Sequence, residues 1–152
     1  GLNAKLFSLE CVCVMHQDDP LATKDVIHPS DLADRSIVSI TGQHTVDRQL
    51  DSYLSTSGVN VERHLSSYFF AIARSIIAFG NAIAIIDPTN GKANLNDSVT
   101  WRSFAPRIDH EMAIITPSEQ PLGQAARGLY DLITQSLQKL ANKSYAGHVD
   151  VK

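Results

Sequence analysis

The sequence predicts an α/β fold, with helices on both faces of a mostly parallel sheet. Two observations carry this. Ala82–Ile86 (AIAII) is an unbroken apolar run, too short for a helix and stopped by Asp87 and Pro88, which suits a strand buried on both faces. The residues before it read as the helix that feeds that strand. Ser66 and Ser67 offer hydroxyl caps, and Phe69, Phe70, Ala73, Ile76, Ile77 and Phe79 follow at roughly helical spacing. Gly80, with Asn81, stands where a helix end favours a left-handed residue. A doubly buried strand fed by an apolar helix needs cover on two sides, so helices flank the sheet.

The other elements follow in chain order. Residues 1–10 carry Leu2, Leu6, Phe7 and Leu9 without a firm period, and residues 11–15 (CVCVM) suit a strand. Residues 16–23 form a polar loop broken by Pro20, and Pro29 opens a short helical turn capped by Ser30. Ser36–Ile40 (SIVSI) is a second short strand, residues 41–44 (TGQH) are the loop after it, and Thr45 is a helix cap. Val46, Leu50, Tyr53 and Leu54 then line one face of an amphipathic helix ended by Gly58. Residues 59–65 (VNVERHL) alternate as a third strand, and the central helix and strand come next. After a turn-rich loop, Val99–Phe104 alternates like an edge strand and residues 110–116 form another. Leu122, Ala126, Leu129, Ile133, Leu137 and Leu140 line a long helix, and a polar tail from Asn142 is expected to fray.

Composition bounds the function. The chain has 152 residues, 43% hydrophobic and 19% charged, enough for a packed core. A net charge of −3 with no run of Lys and Arg argues against this segment gripping nucleic acid by itself. Cys11 and Cys13 lie two apart on a strand and face the same way, a poor geometry for a mutual disulfide. Reduced thiols fit a cytosolic protein better than a secreted one. There is no signal-peptide pattern and no span of about 20 apolar residues. The chain starts at Gly1 without a Met, so its natural N-terminus is expected upstream.

Chemistry is expected at strand carboxyl ends beside helix N-termini. Thr41, Gly42, Gln43, His44 and Thr45 form one such place, where Gly42 lets the backbone approach a ligand and the helix dipole favours an anion. His64, Ser66 and Ser67 form another. Together they suit a small carboxylate or an amino-acid-like ligand, while each is also an ordinary turn or capping residue. No GxSxG, HExxH, P-loop or GxGxxG occurs, and no residue set calls for an enzyme, a metal or a cofactor. His16, Asp18 and Asp19 could ligate a metal, although a solvated loop explains them as well.

The order of motifs resembles the effector-binding part of LysR-type transcriptional regulators. Residues 12–22 (VCVMHQDDPLA) are similar to that family's VCVMPxxHPLA segment, and residues 27–40 (IHPSDLADRSIVSI) follow at the expected spacing. The central helix with residues 82–88 (AIAIIDP) resembles VAxGxGxAIxDP, residues 103–108 resemble RPFxPxI, and residues 118–133 resemble the terminal xRPLSxxAxxFxxxL helix. His16 and Asp19 depart from the family's Pro and His, and Ala78 to Asn81 lose one glycine of its turn.

The resemblance implies a type II periplasmic-binding-protein-like, Rossmann-like fold, in which two subdomains meet at crossing strands and enclose a small effector. It implies a crossing strand or hinge over residues 1–14, the second subdomain over 15–108, the last strand and helix of the first over 109–141, and a flexible tail over 142–152. It directs the effector to Thr41, Gly42, Gln43 and His44 and to Ser66, Ser67 and Tyr68. It implies a cytoplasmic homo-oligomer without a cofactor or membrane contact, bound to DNA only through an N-terminal winged helix-turn-helix outside this chain. The last strand and helix should pack on another chain or leave an apolar patch exposed. A solute-binding protein serving a membrane transporter shares the architecture and is the alternative.

Overall fold

The chain folds as two units in the computed structural model, which describes residues 1–149 apart from the side chains of His44, Asn142 and Val149. β1 (Leu2–Glu10) opens the smaller unit, residues 1–10 and 111 onward. The larger unit, Cys11–His110, begins with β2 (Val12–His16), a 3-10 turn at Pro20–Thr23, β3 (Val26–Ile27) and a second turn at Pro29–Leu32. It continues with β4 (Ser36–Ile40), α1 (His44–Thr56), β5 (Glu62–Ser67), α2 (Phe70–Ile77) and β6 (Ala82–Ile86). The single-turn α3 (Pro88–Gly91) and β7 (Val99–Phe104) complete it. β8 (Asp109–Pro117), α4 (Gln124–Leu140) and β9 (Ala141–Val149) lead through the smaller unit.

The larger unit's sheet runs β3-β7-β2-β6-β4-β5. β4 is parallel to both β5 and β6, β3 is parallel to β7, and β2 is antiparallel to its neighbours β6 and β7. Every strand except β2 therefore points the same way, a mostly parallel sheet as expected. The chain steps outward from β4 to β5 through α1, then back across β4 to β6 through α2. Right-handed crossovers taken in opposite directions put α1 and α2 on opposite faces. That cover is why β6 is buried at all five residues. α1 contributes Val46, Leu50 and Leu54 to the core and α2 contributes Phe70, Ala73 and Ile77. Gly58, expected to end α1, follows it with φ of 66°, in the left-handed region that glycine tolerates. Cys11 and Cys13 are buried free thiols, and burial pushes the Cys13 thiol well above its ordinary pKa.

Several local expectations are corrected. Ser66 and Ser67 do not cap α2. They pair with Ser39 and Ile40, so β5 runs on through them and Phe69 becomes the N-cap. Backbone pairing with β4 takes the residues that a helix start would otherwise claim. α2 ends at Ile77 with Ala78 as its C-cap, and the only positive-φ glycine among the described residues is Gly58, so Gly80 is not a left-handed cap. α1 starts two residues early, with Gln43 rather than Thr45 at its N-cap.

In the smaller unit the sheet order is β8-β1-β9. The flexible tail expected over 142–152 is corrected over 142–149, where β9 pairs antiparallel with β1, from Leu9 opposite Ala141 to Leu2 opposite Val149; residues 150–152 lie outside the described residues. The open edge of β1 supplies the hydrogen-bonding partners that the tail's polar sequence does not reveal. Phe7, Leu9 and Leu137 form the buried centre, with Met112, Ile114 and Leu140 packed against it. Leu129, Leu132 and Ile133 of α4 are exposed, the kind of apolar patch the resemblance implied.

Candidate functional site

Parallel strands bring their carboxyl ends to one edge of a sheet. β5, β4 and β6 do so side by side, which aligns residues 41–43, 67–69 and 87–90 along that edge. Asp87 is 1% exposed and spent on local structure: its carboxylate accepts from Thr89 N at 3.1 Å, Asn90 N at 3.3 Å and Asn90 Nδ2 at 2.9 Å, and also from the Thr89 hydroxyl. The open part of the edge is therefore formed by the loops after β4 and β5.

Those two loops are fastened together. Thr41 N donates to Ser67 O at 2.8 Å, and the Thr41 hydroxyl reaches the same oxygen at 3.3 Å. Gly42 lies so close beneath Tyr68 that a Cβ there would fall 2.2 Å from the Tyr68 carbonyl oxygen and 2.9 Å from its ring. Only glycine permits that approach. Tyr68 and Phe69 project outward, 63% and 62% exposed, with their rings edge to face at 4.9 Å.

The sequence-predicted residues divide accordingly. Thr41, Gly42, Ser67 and Tyr68 are brought together. Ser67 is buried, and its hydroxyl donates to Phe69 O at 2.8 Å, so it braces the loop from inside. Ser66 is the preceding residue on β5, on the opposite, exposed face. Gln43 is the N-cap of α1, although its side chain does not cap the helix. His44 begins α1, and its side chain lies outside the described residues. His64 is exposed within β5, 3.9 Å from Glu62. The loop of His16, Asp18 and Asp19 is internally satisfied: His16 Nδ1 accepts from Asp18 N at 3.2 Å, while Asp19 accepts from Leu21 N and pairs with Arg35. Among the described residues no group of three or more His, Cys, Asp or Glu could hold a metal ion.

Sequence reasoning missed the support beneath the loop. Asp47, in the first turn of α1, accepts from Ile40 N at 3.0 Å and so fixes the last residue of β4. Arg63 of β5 lies 4.0 Å from Asp47, donates to Ser39 Oγ at 2.9 Å and pairs with Asp51. Asp47 and Asp51, four apart on α1, hinted at such a cation partner, but nothing in the sequence named Arg63. The positive end of the α1 dipole faces this edge, directly after Thr41 and Gly42 in the chain. Such a set can bind and orient a small polar ligand through hydrogen bonds. No two of Thr41, Ser67 and Tyr68 form a nucleophile–base pair.

Residues 3–138 match the family model described as the LysR substrate binding domain. The regulatory protein NocR of Agrobacterium tumefaciens (strain T37) is 25% identical over 114 residues, which cover 75% of this chain and 38% of NocR. This chain thus spans well under half the length of that relative. Among solved structures, the regulatory domain of CcmR from Synechocystis PCC6803 in complex with 2-PG superposes with a TM-score of 0.63 at 17% identity, over 91% of this chain and 68% of that one. The effector binding domain of QuiR in complex with shikimate gives 0.60 at 17% identity, over 88% and 63%. At these identities the structures establish a shared fold. The relatives are regulators, which disfavours the transporter-linked alternative. The chain belongs to the LysR substrate binding domain family.

Proposed function

We propose that this chain is the effector-sensing part of a LysR-type transcriptional regulator and takes a small anionic or amino-acid-like metabolite at the carboxyl edge of β4 and β5. The observation that carries the reading is the fastening of the Thr41 loop to the Ser67–Tyr68 loop, with Gly42 kept open beneath Tyr68, in a chain of this family. Thr41 and Tyr68 offer hydroxyls to the ligand, Gln43 an amide, and the amino end of α1 favours an anion. The positions Gly42, His44, Ser66 and Ser67 complete the stretch. The ligand favours one conformation over another and so shifts a regulatory equilibrium. The chain performs no catalysis. The protein acts in the cytoplasm as a homo-oligomer and reaches DNA through a winged helix-turn-helix outside this chain. The ligands in the CcmR and QuiR structures, 2-PG and shikimate, support a small polar effector here as well.

The test is a thermal-shift and calorimetric screen of amino acids, hydroxy acids and phosphorylated carboxylates. A true effector raises the melting temperature in proportion to the logarithm of its concentration. Its binding weakens about tenfold in Thr41→Val or Tyr68→Phe, the value of one hydrogen bond. A ligand whose affinity is unchanged by both substitutions would refute this site.

A further inference from the structure

We propose that Gln49 is a positioning residue that ties the loop 41–43 to the segment by which the chain leaves the larger unit. The backbone crosses out of that unit at two places, between Glu10 and Cys11 and between His110 and Glu111. The residues before the second crossing are gripped in succession. Arg107 O accepts from the Tyr53 hydroxyl at 2.9 Å. Ile108 O accepts at 2.8 Å from the backbone N–H of Cys11, the first residue past the other crossing. Asp109 is held at both backbone groups by one side chain: Gln49 Nε2 donates to Asp109 O at 2.9 Å, and Gln49 Oε1 accepts from Asp109 N at 3.1 Å. The His110 ring then meets Phe70, the first residue of α2, edge to face at 5.0 Å.

An amide that bonds both the N–H and the C=O of one residue supplies what a neighbouring strand would supply. It fixes that residue's position and orientation together, which one bond cannot do. Gln49 and Tyr53 are one turn apart, on the same side of α1. α1 begins at His44, directly after the loop that carries Thr41 and Gly42. The helix is thus a rigid body with that loop at its amino end and residues 107–109 fastened along its side. A displacement of the loop moves α1, and Gln49 passes the movement to Asp109, 60 residues away in sequence. The biological meaning of this link rests on the proposed effector edge, but the link itself requires no ligand.

Amide hydrogen exchange on the 152-residue chain, followed by NMR, tests it. Gln49→Met keeps the side chain's bulk and removes both bonds, so the Asp109 amide should exchange about tenfold faster. Gln49→Glu keeps an acceptor for that amide and should recover much of the protection. The decisive comparison is a double-mutant cycle. Gly42→Ala pushes the loop against Tyr68 and should change Asp109 exchange severalfold in the parent chain and not in Gln49→Met. Should Gly42→Ala fail to fold, Thr41→Val, which deletes one hydroxyl bond, serves the same cycle. A loop substitution that shifts the Tyr68 amide signal yet leaves Asp109 exchange unaltered would overturn the proposal. So would an effect of equal size with and without Gln49. Failure to bind any metabolite would sink the effector reading and leave this result standing. Metabolite binding without a cycle energy would sink the link alone.

Discussion

Arg74, on α2, is 4% exposed and holds down the loop before β7: its guanidinium donates to Ala93 O at 2.9 Å and to both carboxylate oxygens of Asp97. The Arg74 hydrogen bond, outweighing partial burial, keeps the Asp97 carboxyl below its ordinary pKa. A carboxylate whose folded pKa is depressed adds stability above its unfolded pKa, and that stability is lost as pH falls through the folded value. Asp97→Asn should therefore cost about 1–2 kcal/mol at neutral pH. Urea midpoints of parent and variant should converge in acid below the folded value, and a gap that persists there would contradict the argument. Gly42 sets a second expectation. A Cβ 2.2 Å from the Tyr68 carbonyl oxygen forces backbone movement, so Gly42→Ala should cost about 1–3 kcal/mol in urea unfolding. That Gly42 matters was legible, because a glycine between a β-branched strand and a helix start is a familiar ligand-approach position. Why it matters was not, since its neighbour Tyr68 comes from another loop. Asp47 and Gln49 were illegible for the same reason: their partners are Ile40, Arg63 and Asp109, and polar periodicity cannot name a partner across the fold.

Elements were legible where local pattern and burial agree. β6 needed no correction because five consecutive apolar residues have no exposed alternative. The start of α2 was misread because Ser66 and Ser67 satisfy two patterns, a helix cap and a strand end, and pairing with β4 decides between them. β9 was missed altogether. Its sequence, ANKSYAGHV, has no sustained alternation, and the strand exists through its register on β1. That origin has a consequence. Ending the chain after Leu140 would strip the partner from one side of β1 and bare a row of backbone donors and acceptors beside Phe7 and Leu9. The shortened chain should melt earlier and associate in proportion to concentration, as read by calorimetry and light scattering. A shortened chain that stays monomeric with an unchanged melting temperature would mean that β9 adds nothing to the sheet.

At the scale of the molecule, the two units are unequal. The larger has a continuous core from Cys11 to Ile108, through five of the six strands of its sheet, β5 excepted, and both long helices. The smaller has Phe7, Leu9 and Leu137 at its centre and exposes Leu129, Leu132 and Ile133 on α4. Apolar burial is the main term that opposes chain entropy, so a unit with so small a centre holds its hydrogen bonds weakly. Local opening free energies should follow the same order. In hydrogen exchange, the amides of β1, β8 and β9 should exchange well before those of β4 and β6. Leu137→Ala, which removes about 2–5 kcal/mol of packing, should push the smaller unit toward unfolding. Protection in β6 should be unaffected, because Leu137 belongs to the smaller unit's own buried cluster and Ile83–Ile86 to the larger one. Ile85→Ala, of similar cost, should instead lower protection throughout β2, β4 and β6. Equal loss of protection in both units from Leu137→Ala alone would show that the chain unfolds as one cooperative body. The division at residues 10 and 110 would then be geometric only. Independent loss would leave the larger unit, with its fastened loops, as a frame that stays folded when the smaller unit opens.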